Sequence, residues 1–301
     1  MEPTKYIWMD GEFIAWEQAQ VHVLTHTLHY GAGAFEGERA YKTDRGPAIF
    51  RLGEHTERLF YSTGVIGLEL PFTQEEINNA TIELIRRNEV EHCYIRPLAF
   101  YGYGKMGLNP TGAPAQLMIA CWPWGAYLPH EMVDLKVSSF IRIHPRSTVA
   151  DAKICGHYVN SILAVRELIG THYHEALFLD EHEQIAEGPG ENFFIVKDGG
   201  LITPPAGTIL QGITRATIME LAKAEGLPVT ERVIPIQEAL EADEAFYTGT
   251  AAEVTPIRSI DDKTIGSGEV GEITGMLKNQ YLDIVSGRNP RYDHYLTYVN
   301  G

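Results

Sequence analysis

The chain has 301 residues, 44% of them hydrophobic, enough for roughly two domains with substantial cores. Lysine and arginine number 24 against 40 aspartates and glutamates, a formal net charge of −16. This weighs against nucleic acid or an anionic membrane as partner and leaves any anion site to individual arginines; Cys93, Cys121 and Cys155, far apart and without a CxxC pair, fit reduced thiols, and with neither a signal-peptide core in MEPTKYIWMDGEF nor a run of about 18 apolar residues the expected location is cytoplasmic.

From Tyr6 to Trp16 the pattern alternates around Asp10-Gly11, a pair that favours a tight turn, and predicts a β-hairpin. His22, His26 and His29 follow at helix-like spacing, which could suit a metal. Gly31, Gly33 and Gly37 break that helix before a carboxylate ligand falls in register, so no metal is expected. AFEGERAY reads as a strand on which Phe35, Gly37 and Arg39 share a face, with Gly37 leaving space for a ligand; Tyr30, just before it, is a further candidate. Residues 49–70 predict a strand end and then a helix carrying Arg51, His55, Arg58 and Leu59 near one stripe. Arg58 reads first as a solvated helix charge and second as a phosphate clamp. Thr73 with Glu76 three residues on predicts a capping box for a helix over 73–88. CYIRPLAFYGYG then turns Tyr94 and Arg96 to one strand face, a wall suited to a carboxylate. After AQLMIACWPW, the breakers Pro123, Gly125 and Pro129 mark a boundary. We assign 1–121 to an N-terminal domain, 122–134 to an interdomain loop with Trp124 and Tyr127 at a pocket edge, and 135–301 to a second domain.

The second half centres on STVADAKICGHYVNSILAVRE, residues 147–167, where Lys153 stands among small and apolar residues. Desolvation disfavours an ammonium and lowers its pKa, the condition for an amine that attacks a carbonyl. Tyr158 offers a phenol five residues on, and 159–167 reads as an amphipathic helix with Ile162, Leu163, Val165 and Leu168 on or near one face. ALFLD, QIAEG and NFFIVKD form a strand meander; its exceptional residue is Glu187, before Gly188-Pro189-Gly190, with Glu191 as a rival. Gly212 leads into a helix start at Ile213-Thr214, whose amides and dipole suit an anion, although a plain helix start reads as well. The small-residue turn 248–252, with Thr250 and Ala251, is a second anion cradle. A helix over 272–281 and three packing tyrosines between 291 and 298 close the chain. GxxxxGK[ST] and GxSxG do not occur.

A partly desolvated lysine, a nearby phenol, a turn carboxylate, an arginine and two anion cradles make up what pyridoxal 5′-phosphate (PLP) chemistry needs: an amine for the aldehyde, a carboxylate for the ring nitrogen, and donors for the phosphate. HTLHYGAGAFEGERAY, FRLGEHTERL, YIRPLAF, PWGAYL, AKICGHYVNS, AEGPGENFF, QGITR and GTAAEVTPIRS, in this order over most of the chain, resemble PLP-dependent aminotransferases of fold type IV, specifically the bacterial branched-chain amino-acid aminotransferases. The resemblance implies an α+β, two-domain fold: a small N-terminal α/β domain and a larger PLP-binding domain with a β-barrel-like core. It implies that Lys153 forms the Schiff base and moves the proton, that Tyr158 bonds the cofactor's phenolic oxygen, and that Glu187 rather than Glu191 pairs with the pyridine nitrogen. Arg58, the Ile213 and Thr214 backbone and Thr250 would hold the phosphate. Tyr94 with the Thr250 and Ala251 amides would take the α-carboxylate, and Arg96 the second carboxylate of glutamate. Phe35, Trp124 and Tyr127 would form the apolar pocket, with Arg39 also on the substrate side and Tyr30 reaching in from the other subunit of a homodimer. The implied reaction transfers the amino group between L-leucine, L-isoleucine or L-valine and 2-oxoglutarate in two half-reactions through pyridoxamine phosphate. Ile154-Cys155-Gly156-His157 and Glu38 depart from the family's usual residues. A D-amino-acid aminotransferase, an (R)-amine transaminase and an aminodeoxychorismate lyase share Lys153, Glu187 and Arg58, but the YIRP strand and the GTAA turn favour the branched-chain enzyme. A metal-dependent hydrolase on the three histidines is the remote alternative.

Overall fold

The chain begins with β1 (Tyr6–Met9) and β2 (Glu12–Ala15), joined through Asp10 and Gly11 at φ 50° and 98°, as a two-residue turn between right-twisted strands requires. The computed structural model describes residues 2–125, 128 and 130–300, and every statement here concerns those residues. They form two units: 1–125 with 152–157 and 284–301, and 126–151 with 158–283.

In the first unit α1 (His26–Tyr30) ends on left-handed Gly31 and is followed by β3 (Gly33–Phe35), β4 (Glu38–Thr43), β5 (Gly46–Phe50), α2 (Leu52–Val65), α3 (Gln74–Asn88), β6 (Cys93–Tyr101) and β7 (Ala115–Trp122). One sheet runs in the order Leu296–Tyr298, β5, β4, β6, β7, β1, β2, with β3 pairing β6. The capping box forms as expected: the Thr73 hydroxyl accepts from Glu76 N, and the Glu76 carboxylate accepts from Thr73 N. Leu59 of α2 and Ile77 and Leu84 of α3 close over Ile95, Leu117 and Ile119. Strand alternation sends Tyr94 and Arg96 to the opposite face.

The structure changes three expectations in this unit. AFEGERAY is two strands, broken at Glu36-Gly37, where Glu36 N donates to Pro97 O instead of continuing the ladder. Gly37 does not leave space for a ligand: a methyl group there would overlap the Tyr94 hydroxyl, so the glycine admits the tyrosine. The domain limits also differ from 1–121 and 135–301. Residues 284–301 join the first unit because Leu296–Tyr298 pairs with β5, and 152–157 join it because Ile154 bridges Ala34 and Phe35 N donates to Lys153 O.

The second unit contains β8 (Val133–Val137), α4 (Tyr158–Arg166), β9 (Glu175–Leu177), β10 (Asn192–Lys197), β11 (Gly200–Thr203), α5 (Ile213–Ala224), β12 (Val229–Glu231), α6 (Ile236–Leu240), β13 (Glu244–Gly249), β14 (Glu253–Ile260), β15 (Lys263–Thr264) and most of α7 (Glu272–Val285). Its sheet order is β12, β11, β10, β13, β14, β8, β9, with β15 on β14; β8 runs parallel to both β9 and β14. Leu135, Leu177, Phe193, Ile195, Tyr247 and Ile257 fill its core. QIAEG contributes only single bridges, Leu179 to Ile185, Gln184 to Pro235 and Glu187 to Asn192. The apolar stripe of α4 also differs from expectation. Val159, Ile162, Leu163 and Val165 are exposed, and the helix packs through the smaller Ala164 against Ala176 and Phe178, with Leu168 half-buried beside them.

Candidate active site

Lys153 is fixed through its backbone before its side chain does anything. Its N–H donates to Ser62 Oγ of α2 (2.9 Å) and its carbonyl accepts from Phe35 N of β3 (3.1 Å). The amine lies 5.0 Å from the centroid of the Phe35 ring. Burial, assisted by the charge of Arg58 and opposed by Glu36, brings its pKa down from 10.5 to about 8. The neutral, nucleophilic amine is therefore accessible near physiological pH.

Phe35, Tyr94, Arg96 and Trp124 gather beside that amine. The Arg96 guanidinium stands 4.7 Å from the Phe35 ring centroid and donates to the Tyr94 hydroxyl at 3.1 Å, while the Tyr94 and Trp124 rings lie 4.7 Å apart. Arg96 Nε is buried with no hydrogen-bond partner among the described residues. Arg39 lies opposite Tyr94 in the sheet, but its guanidinium donates to His92 Nε2 at 2.8 Å. Tyr30 is 41% exposed and accepts from Gly107 N. Tyr127 lies outside the described residues.

Sequence reasoning missed Glu36 and the use of His55. Arg58 donates from Nε and Nη2 to the two Glu36 oxygens at 2.7 and 2.8 Å, and His55 Nδ1 lies 2.8 Å from Glu36 Oε2. Burial alone would raise the Glu36 carboxyl, yet Arg58 and His55 hold it well below the usual range. The available signal was His55 and Arg58 three apart on one helix, below a strand break that carries an acid. Glu38 is buried too. Desolvation and the neighbouring Glu36 charge push its carboxyl well above its usual value, favouring the neutral form. Gly156 packs on Gly31: its N–H donates to Gly31 O, and a methyl on Gly31 would come within 2.9 Å of Gly156 Cα, whereas one on Gly156 would make only ordinary contacts. His22, His26 and His29 bond separately to the backbone of Leu24, Gly107 and Val23, and no group of three metal-ligating side chains exists among the described residues.

In the second unit Glu187 is buried, its Oε1 accepting from Arg142 Nε at 2.6 Å and its Oε2 from Asn192 Nδ2 at 3.0 Å, with Leu210 N donating to both. Arg142 balances the charge and the two N–H groups fix the plane; sequence reading missed this arginine. Glu191 instead accepts from its own turn, at Gly190 N, and lies against Gly188 and Tyr247. Gly212 is the N-cap of α5, and no side chain caps that start. A methyl on Gly212 would overlap Asn192 Oδ1, so this glycine also lets Asn192 reach Glu187. Thr214 is buried in the first turn, Thr250 and Ala251 form the turn after β13, and Tyr158 opens α4.

The family model for amino-transferase class IV matches residues 33–260. The chain belongs to amino-transferase class IV. Within class IV it is similar to the branched-chain-amino-acid aminotransferase of Pseudomonas aeruginosa, 47% identical over 297 residues that cover 97% of each chain. The T.th. branched-chain amino acid aminotransferase, solved in complex with N-(5′-phosphopyridoxyl)-L-glutamate, is 45% identical, with a TM-score of 0.96 and 99% of each chain covered. The same protein in complex with 4-methylvaleric acid gives 44%, 0.95 and 99% of each chain. The fold is that of the type IV aminotransferases, and the cofactor of this class IV enzyme is PLP. Its own residues fit that group: a partly desolvated amine of lowered pKa suits the aldehyde, a charge-balanced buried carboxylate suits a protonated ring nitrogen, and a helix start without a side-chain cap suits a phosphate.

Proposed function

We propose that this aminotransferase moves the amino group between L-leucine, L-isoleucine or L-valine and 2-oxoglutarate. The observation that carries the reading is the grouping of Phe35, Tyr94 and Arg96 beside the amine of Lys153, an apolar ring and a guanidinium side by side. One site must accept both a branched apolar side chain and a second carboxylate. The glutamate adduct and the 4-methylvaleric acid bound by the T.th. relative support that dual requirement.

Bound PLP supplies an aldehyde that takes up the substrate amine and an electron sink that eases loss of the Cα proton. In the first unit, Lys153 would anchor that aldehyde and later carry the proton from substrate Cα, Arg58 would meet the phosphate, Tyr94 the α-carboxylate and Arg96 the distal carboxylate. Phe35 and Trp124 would receive the branched side chain, with Tyr127 and Arg39 assigned to the same side. In the second unit, Glu187 would pair with the ring nitrogen and Tyr158 with the phenolic oxygen. The Ile213 and Thr214 amides and Thr250 would bind the phosphate, and the Thr250 and Ala251 amides the α-carboxylate. A homodimer as minimum unit and a cytoplasmic address complete the reading. Leu28, exposed beside Tyr30, edges an apolar cavity of about 420 Å³ with Leu98, Phe100 and Trp122, a surface that a second copy would cover.

The test is a half-reaction followed by visible spectroscopy: the yellow protein is mixed in turn with L-leucine, D-alanine and (R)-1-phenylethylamine. Bleaching by L-leucine and recovery with 2-oxoglutarate is the expected result. Bleaching by D-alanine or the amine alone would transfer the assignment to one of the other type IV activities.

A further inference from the structure

Three consecutive residues at the break between β3 and β4 hold two different groups of the first unit. Phe35 N donates to the Lys153 carbonyl, Glu36 binds the Arg58 guanidinium in a two-point fork, and Gly37 N donates to Glu36 Oε2. The Glu36 backbone is itself fixed, its N–H donating to Pro97 O. Its side chain is completely buried and receives Arg58 Nε, Arg58 Nη2, His55 Nδ1 and Gly37 N. Three of those four donors come from α2 and the fourth from the backbone of the break itself, and together they set the carboxylate plane.

A bare carboxylate is a poor neighbour for a phosphate, since the two charges repel. Its value lies in geometry. An arginine stem has four rotatable bonds, and ordering them costs affinity when an anion binds. The fork on Glu36 takes the Nε and Nη2 edge and fixes the guanidinium plane in advance, turning the Nη1 edge away from Glu36.

We propose that Glu36 is a positioning residue for the phosphate of the cofactor, acting through Arg58 and supported by His55. The inference rests on the reading that Arg58 meets that phosphate. The alternative is a purely structural acid that neutralises a buried arginine.

Phosphate recognition is isolated by comparing PLP with pyridoxal, which lacks the phosphate. The full-length protein is freed of cofactor and titrated with each, and the ratio of the two affinities is compared between variants. Glu36→Gln, close to isosteric, replaces the acceptor facing Nη2 with a donor. It is expected to weaken PLP binding about tenfold and pyridoxal binding far less, the loss of one oriented charge-assisted contact. Arg58→Ala should lower the ratio at least as far, and the double variant no further, because both changes remove one unit. His55→Gln, which removes only one support of Glu36, should lower the ratio severalfold. If Glu36→Gln does not fold, Glu36→Asp, with the fork drawn back by one methylene, takes its place with the same expectation. A falling melting temperature with an unchanged ratio in the Glu36 variant, while Arg58→Ala lowers the ratio, overturns the positioning role and leaves the Arg58 reading intact. An unchanged ratio in Arg58→Ala removes the reading on which the inference rests.

Discussion

Glu36 and Glu187 are both buried carboxylates held through an arginine Nε, at 2.7 Å from Arg58 and 2.6 Å from Arg142, yet their surroundings differ in kind. Around Glu36 stand groups that exchange protons: His55, a Glu38 whose neutral form is favoured, and Lys153 with its pKa near 8. Around Glu187 stand an asparagine amide and the backbone N–H of Leu210, which do not titrate. In the first region the Lys153 amine can exchange its charge at a pKa of about 8; in the second Arg142 holds the Glu187 charge in one place. A proton-transfer catalyst needs both, a group that gives up its charge and a group that never does.

The largest break in this contrast is Lys153→Ala. It removes the titrating amine and should lower turnover about 10⁴-fold or more with the far-UV circular dichroism preserved, measured as L-leucine-dependent amino transfer. A residual rate within tenfold of the parent would remove the lysine from the chemistry. Glu187→Gln attacks the other region. With the fixed charge gone, kcat should fall about 10²- to 10³-fold, and stability to urea should drop by roughly 3 kcal/mol because Arg142 loses its counter-charge. A stability loss with kcat intact would make Glu187 a structural pair only.

Arg96→Ala is expected to slow the half-reaction with 2-oxoglutarate by about 10- to 100-fold while the L-leucine half-reaction changes much less, since only the former presents a second carboxylate. Equal losses in both directions, read by stopped-flow absorbance, would place Arg96 elsewhere. A pH series sharpens the comparison further. Only the neutral amine condenses with an aldehyde, so PLP uptake by cofactor-free protein should rise about tenfold per pH unit below the Lys153 pKa of about 8 and level off above it. Arg58 helps to depress that pKa, so Arg58→Ala should move the break upward. Glu187→Gln should leave the break where it is.

How far each region was legible in the sequence follows the same division. The desolvated lysine could be read because its small and apolar neighbours are neighbours in the chain. The turn alone left Glu187 and Glu191 as rivals, since both flank the same Gly-Pro-Gly, and the preference for Glu187 came from the resemblance; in the structure Glu191 accepts from its own turn and Glu187 from Arg142, 45 residues earlier. Glu36 was passed over because its partners lie a helix away and its strand pattern hid a break. On α4 periodicity identified an apolar stripe correctly but not its environment, because the helix seats itself on one alanine. The three-residue strand Leu296–Tyr298 is too short to show an alternation, and only its pairing with β5 assigns the chain end to the first unit.

The smallest expected effect tests whether the first region depends on its scaffold. Two helix starts can be compared: α3 caps itself through Thr73 and Glu76, whereas α5 begins on Gly212 without a side-chain cap. A start that satisfies its own amides stabilises the fold; one that does not leaves amides for an anion. Thr73→Ala should therefore lower the melting temperature by only about 2–4 °C and leave kcat and the pH break of PLP uptake unchanged. A shifted pH break would mean that the Lys153 environment follows the general stability of its unit. The contrast between a tunable and a pinned charge would then belong to the two scaffolds rather than to the residues that touch each group.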